Sequence, residues 1–162
     1  MSYTLLHNLF PELAEEETRS IRVFNESEFG LPAWTYGFLE SYCDEKNCDC
    51  RRVFFLVVSP RSREPLAVIA YGWEKRAFYT RWLSVPSKSA VDELCGPTLT
   101  RLSRQSKLAP ALLELCKNVL LKDPEYVARI KRHYRMFRDR IDGRTVRVPC
   151  GKEAEKRLRW GC

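Results

Sequence analysis

No stretch of this 162-residue sequence approaches the roughly 18 consecutive apolar residues that a membrane-spanning helix requires; the longest apolar run is Val53–Val58. No membrane association is therefore expected. Residues 1–10 lack the basic patch followed by an apolar core that marks a secretory leader, so a cytoplasmic setting is the expectation. Histidine is scarce: His7 and His133 are the only two, which leaves little choice of imidazole for acid–base chemistry. No P-loop, dinucleotide fingerprint, HExxH or Ser-His-Asp order is found. No internal repeat marks a solenoid.

The composition is that of a folded chain. Apolar residues make up 44% and charged residues 30%, and the length suits one domain with a core of ordinary size. Seven cysteines cannot all pair within the chain, and without a leader they read as thiols or metal ligands. The net charge of +7 is uneven. Residues 129–162 hold 12 Lys/Arg against 4 Asp/Glu, while residues 1–128 hold the other 16 basic and 17 acidic groups. The excess positive charge thus lies in the last fifth of the chain, where it forms either a solvated helix face with a solubilising tail or a surface for phosphates or acidic proteins.

The pattern predicts an α+β fold, an antiparallel β-meander of three to four strands packed by a C-terminal helical hairpin. Pro11–Glu17 reads as a short helix with proline in its first turn, and Ser20–Phe24 as an edge strand. Trp34–Tyr42 alternates at period two, with Trp34, Tyr36, Phe38 and Tyr42 on one face and Glu40 among them. Arg51–Val58 and Leu66–Tyr71 are strands apolar on both faces, joined by turn chemistry at 59–65. They should be central and covered on both sides, which hints at a homodimer. Glu74–Leu83 suggests a helix, and 84–107 a long loop with one helical turn near Ala90–Leu94. Pro110–Leu121 and a second helix ending at Asp142 form the hairpin, with Asp123 as N-cap and Gly143 as the stop. Residues 1–143 are thus one domain, and 144–162 a basic C-terminal tail.

The densest chemistry is Tyr42-Cys43-Asp-Glu-Lys-Asn-Cys48-Asp-Cys50-Arg51-Arg52. Three thiols fall within eight residues across an expected hairpin. Cys48 and Cys50, two apart, would share a strand face, and a turn through Glu45–Asn47 would return Cys43 to them. Clustered thiolates repel one another unless a cation joins them, and soft sulfur donors in tetrahedral array favour zinc. Arg51 and Arg52 would offset the negative charge of such a site. The C-x4-C-x-C spacing differs from paired CxxC, so three half-buried cysteines or a redox pair is the competing reading. For the fourth position His133, on the border of the second helix's apolar stripe, is the favoured candidate, with Cys95 in Leu94-Cys-Gly-Pro97 and water as rivals. Cys116 reads as helix core. Glu40 among aromatics could serve as a general acid or base; pairing with an arginine or tyrosine hydroxyl is the simpler role.

Tyr42-Cys…Cys48-Asp-Cys-Arg-Arg-Val53, with Ala70-Tyr-Gly-Trp73 and Lys131-Arg-His-Tyr134, resembles an uncharacterised prokaryotic domain family whose members often carry or neighbour a C-terminal SEC-C metal-binding motif. The tail resembles a degenerate SEC-C motif: Val148 stands where the first cysteine belongs, the spacer is longer, and only Cys150 and Cys162 remain. The resemblance implies a metal site without an established activity. Two functions follow. In the first, zinc staples the Cys43–Cys50 hairpin of an interaction module whose basic C-terminal region contacts nucleic acid, the ribosome or an acidic protein. In the second, zinc with an open position activates water for a hydrolase, with Glu40 or Asp49 as proton carrier. A thiolate-rich site and the scarcity of histidine favour the first.

Overall fold

The computed structural model describes residues 2–25 and 29–144. The chain forms β1 (Tyr3–Leu5), α1 (Leu6–Leu9), α2 (Pro11–Glu17), β2 (Arg19–Arg22), β3 (Thr35–Cys43), β4 (Arg52–Val58), β5 (Ala67–Gly72), α3 (Arg76–Trp82), α4 (Lys88–Cys95), β6 (Thr98–Leu99), α5 (Ala109–Leu115) and α6 (Pro124–Asp142). A π-helical turn, Cys116–Leu120, continues α5.

The fold is α+β, as expected, but the sheet has six strands. Its order is β1-β3-β4-β5-β6, with β2 also pairing β3, and every pairing is antiparallel. β1 and β2 share one edge of the long strand β3: Arg19–Arg22 pairs with its first half and Tyr3–Leu5 with its last three residues. The length of β3 is what allows both to dock.

Alternation explains the layers. Tyr36, Phe38, Glu40 and Tyr42 of β3 are buried together with Val53, Phe55 and Val57 of β4 and Ile69 of β5. On this face α6 crosses β3 and β4, and α5 packs on β5 and β6. Asp123 caps α6 by accepting from the Glu125 and Tyr126 N–H groups, with Pro124 at the first position, and Gly143 ends the helix at φ 70°. The apolar stripe Tyr126, Ile130, Tyr134 and Phe137 faces inward. The opposite sheet face is different. Leu39, Phe54, Leu56, Val58 and Val68 are only half-buried, so β4 and β5 are central but their second face is not fully covered.

The segment 84–107 is more structured than its composition suggests. Ser87 caps α4 through the Ala90 N–H. Gln105 donates to the Val68 carbonyl and accepts from the Val68 N–H, acting as a surrogate strand beside β5.

Candidate metal centre

Cys43 ends β3, Cys48 lies in the following turn, and Cys50 stands two residues before β4. Their sulfur atoms all lie within 4.8 Å of one another. Cys43 and Cys50 are buried and Cys48 is half-exposed. The convergence does not come from a shared strand face, because residues 48–51 are irregular and β4 begins only at Arg52. It comes instead from two left-handed residues, Asn47 at φ 59° and Arg51 at φ 49°. Asparagine tolerates that region; for arginine it is costly and persists only where the surroundings enforce it.

Arg51 is held from several sides. Its N–H donates to the Tyr134 hydroxyl at 3.2 Å, and its carbonyl accepts from the Tyr79 hydroxyl at 2.9 Å. Its guanidinium pairs with Asp49 and Glu74 and lies 4.5 Å from the centre of the Phe78 ring. These contacts turn the chain between Cys50 and β4.

The other half of the loop is fixed by α6. Buried Arg138 donates to the Cys43 carbonyl at 2.8 Å and the Glu45 carbonyl at 2.9 Å, and pairs with Asp142 at 2.5 Å. Asp142 also accepts from the Asn47 N–H at 2.8 Å. Burial acts to raise the Asp142 pKa, but the Asn47 N–H, Arg138 and Arg144 outweigh it and hold the carboxyl below its ordinary value. At the far side, Asp44 accepts from Thr4 and Ser2, tying the loop to the N-terminal strand.

The surroundings of the sulfurs suit a metal. Burial keeps the Cys43 and Cys50 thiols above their ordinary pKa, and the neighbouring thiols add to the effect. Against it, the Glu45 N–H points to the Cys43 sulfur and the Arg52 N–H to the Cys50 sulfur, each from two residues on. Such N–H donors favour thiolate. Arg138 likewise acts on Cys43. The cation turned toward the cluster is therefore Arg138, whereas Arg51 is neutralised by carboxylates and the Arg52 guanidinium donates to the Glu93 carbonyl. Tyr3 stands opposite Cys43 in the strand register. Burial first, and the three thiols in addition, push its hydroxyl up to about 12 despite Arg52.

His133 is not brought to the cluster. It is fully buried, its Nδ1 lies 2.7 Å from Glu40 and its Nε2 2.9 Å from Glu17. Both ring nitrogens thus face carboxylates, leaving neither for a metal at the thiols. The reason is rotation along α6: His133 and Ile130 face the middle of the sheet, while Tyr134 and Arg138 face the cysteine loop. Glu40 is the hub of this second network. It accepts from the Tyr42 hydroxyl at 2.6 Å, the Tyr126 hydroxyl at 3.2 Å and His133. Glu17 meets Arg129 and Arg132 as well as His133. Cys95, at the end of α4, and buried Cys116 also lie outside the trio. Among the described residues no fourth His, Cys, Asp or Glu joins it. Cys150 and Cys162 lie outside the described residues, as does the proposed tail motif.

Cys48 opens into a groove of about 700 Å³ between the loop and α6. Trp73, Tyr134, Lys131, Arg135 and Arg144 line it with the Asp49–Arg51 pair. No helix is long and apolar enough to cross a membrane among the described residues.

Fold and site define an α+β domain with a preformed three-cysteine cluster that could hold a metal ion. Comparisons of the chain with protein-family models, with curated proteins and with solved structures found no match.

Proposed function

We propose that the three cysteines bind zinc as a structural staple in an interaction module, rather than as a catalytic metal. The convergence of three sulfurs within 4.8 Å on a loop gripped by α6 carries this reading. Thiolates are good ligands for zinc, and sulfur-rich sites are commonly structural. The zinc would join the end of β3 to the start of β4 at the place where α6 docks.

The hydrolase alternative is weaker on this geometry. His133 is occupied by Glu40 and Glu17, and Glu40 is committed to His133 and two tyrosines. Neither is free to carry protons at the cluster, and Asp49, the other candidate carrier, is paired with Arg51. The partner of the module would be anionic: nucleic acid, including that of the ribosome, or an acidic protein. The surface proposed for it is smaller than the basic count of α6. Arg138 is consumed internally, and Arg129 and Arg132 are paired with Glu17. Lys131 and Arg135 remain on the groove wall, followed in sequence by the basic residues of 144–162.

Zinc that binds only the folded state stabilises it by about 4 kcal/mol at a thousandfold excess over Kd. For a domain of this size that is a rise in Tm of roughly 8–16 °C. Melting the metal-free protein with and without zinc tests the staple; an unchanged Tm at saturating zinc would refute it. Retention on nucleic acid at physiological salt, lost on neutralising Lys131 and Arg135 and removing 145–162, tests the partner. Retention that survives those changes would reject this surface.

A further inference from the structure

We propose that the groove on the second face of the sheet, beside Arg52, binds a small monocarboxylate with an apolar body. The proposal uses neither the thiols nor a metal, and goes beyond the interaction-module reading by giving the chain a small-molecule ligand.

The period of the strands builds the floor. Arg52 and Phe54 of β4 alternate with the core residues Val53 and Phe55, and so share the second face. Phe54 stands between Ser41 of β3 and Ala70 of β5 in the register, with Val68 two residues before Ala70 on the same face. The walls come from opposite edges of the sheet. Tyr3 of β1 sets its ring centre 3.9 Å from that of Phe54. The segment after β6 contributes Thr100, Arg101 and the exposed side chain of Leu102. The groove between them holds about 500 Å³, within the range of small-molecule sites.

Arg52 gives this groove its chemistry. The residue is only 6% exposed, and its guanidinium lies 4.9 Å from the centre of the Phe54 ring. A guanidinium carries five N–H donors. Among the described residues this one makes a single hydrogen bond, from Nη2 to the Glu93 carbonyl at 3.1 Å, and its buried Nε has no acceptor. It forms no ion pair with a described carboxylate: Glu93, the acid at the groove, faces Arg101 at 3.9 Å instead. Toward the thiols Arg52 offers its backbone N–H. Arg138, buried to the same degree, shows the contrast, since it meets two carbonyls and the Asp142 carboxylate. A buried cation without a counter-charge is costly, and an anion in the groove would supply it.

The charges present set the kind of anion. Arg52 and Arg101 against Glu93 leave one positive charge at the groove. A single carboxylate balances it and fits the guanidinium fork, whereas a phosphate monoester carries nearly twice that charge. The Ser41 and Thr100 hydroxyls already donate to the Phe54 and Val68 carbonyls and add no further donor. Phe54, Val68, Ala70 and Leu102 are left to take the apolar body.

Amide NMR of the isotope-labelled full chain, as purified, is the test. The probes are octanoate and 3-phenylpropanoate, their uncharged amides, and phenyl phosphate, each titrated to about 10 mM, enough to saturate a site of millimolar Kd. The carboxylates should shift the amides of Phe54, Val68, Ala70 and Thr100 saturably. The uncharged amides should bind at least about tenfold more weakly, because the bond to a charged group is lost. Arg52→Gln, shown folded by circular dichroism, should lose the preference for carboxylate over amide. The comparison of acid with amide needs no variant, so it decides the matter even if Arg52→Gln does not fold. No saturable shift, equal binding of acid and amide, or shifts confined to the groove of Lys131 and Arg135 would overturn the site. Tighter binding of phenyl phosphate would overturn the choice of a monocarboxylate. A dimer in sedimentation whose dilution shifts map to Phe54 and Val68 would give this face to a second copy and overturn it as well. None of these results bears on zinc at the cysteines, so failure here is distinct from failure of the metal reading.

Discussion

Arg138→Met is the substitution that bears most directly on how the cysteine loop is built. The methionine keeps the apolar stem and removes the guanidinium. Three acceptors then lose one donor each: the carbonyls of Cys43 and Glu45, and the Asp142 carboxylate, whose side chain is 4% exposed; Asp142 keeps the Asn47 N–H and the Glu45 carbonyl the Cys48 N–H. Breaking a buried pair from one side costs about 3–5 kcal/mol, and the carbonyl of buried Cys43 would add about 1–3 kcal/mol if it found no water. These costs overlap, so about 3–5 kcal/mol is expected in total, a large share of the 5–15 kcal/mol typical of a domain. Urea unfolding of the metal-free protein measures it. Pairing the change with Asp142→Asn in a double-mutant cycle should reveal strong coupling, because the two side chains share one network. Zinc affinity should weaken too, since Arg138 fixes the carbonyl of a ligand residue. A loss below about 1 kcal/mol, with zinc affinity unchanged, would refute the view that α6 positions the loop.

Three further outcomes follow from other parts of the structure. Glu40→Leu leaves buried His133, Tyr42 and Tyr126 without their shared acceptor and should cost about 3 kcal/mol or more in urea unfolding; because this network is separate from the thiols, zinc stoichiometry should stay unchanged, and its loss in a folded variant would contradict the separation. The Asp142 carboxyl is held below its ordinary value of 3.8, so its stabilising contribution is present above the unfolded pKa and is lost as pH falls through the folded one; Asp142→Asn should flatten the acid limb of the metal-free stability curve below about pH 4, and an unaltered limb would contradict the assignment. Burial pushes the Cys116 thiol up to about 12, so iodoacetamide at pH 8 should spare it in the native protein while labelling half-buried Cys95, as mass mapping would show; fast native labelling of Cys116 would place it elsewhere.

The parts of the fold legible in the sequence are those with strong period or strong punctuation. The aromatic alternation of Tyr36, Phe38 and Tyr42 marks β3, and Asp123, Pro124 and Gly143 bracket α6 on both sides. β1, α1 and β6 carry no such signal. Each is two to four residues long and is defined by what it docks on, β1 by the far half of β3 and β6 by β5. The three-thiol cluster was legible from spacing, but its local cause was not, because nothing in Cys48-Asp-Cys50-Arg51 announces a left-handed arginine. That conformation depends on Tyr79 and Tyr134, distant in sequence. His133 shows the limit of a helical stripe as a guide to a site. The stripe correctly buries it, but a turn of the helix sends it to Glu40 and Glu17 instead of the thiols. Arg138 could have been found: it stands four residues after Tyr134, on the side of α6 facing the loop, where a charge needs partners. Glu40 took the simpler of its expected roles, with the tyrosine hydroxyls of Tyr42 and Tyr126, and gained His133 besides.

The central claim is that Cys43, Cys48 and Cys50 hold a zinc ion. Elemental analysis of the full chain, purified freshly without chelators or metal-affinity resin, tests it most directly. The account predicts one zinc per chain in the unmutated protein, and its loss on replacing Cys43, Cys48 and Cys50 together by serine. Protein that is folded, reduced and free of any bound metal, and that takes up none when zinc is supplied, would contradict it.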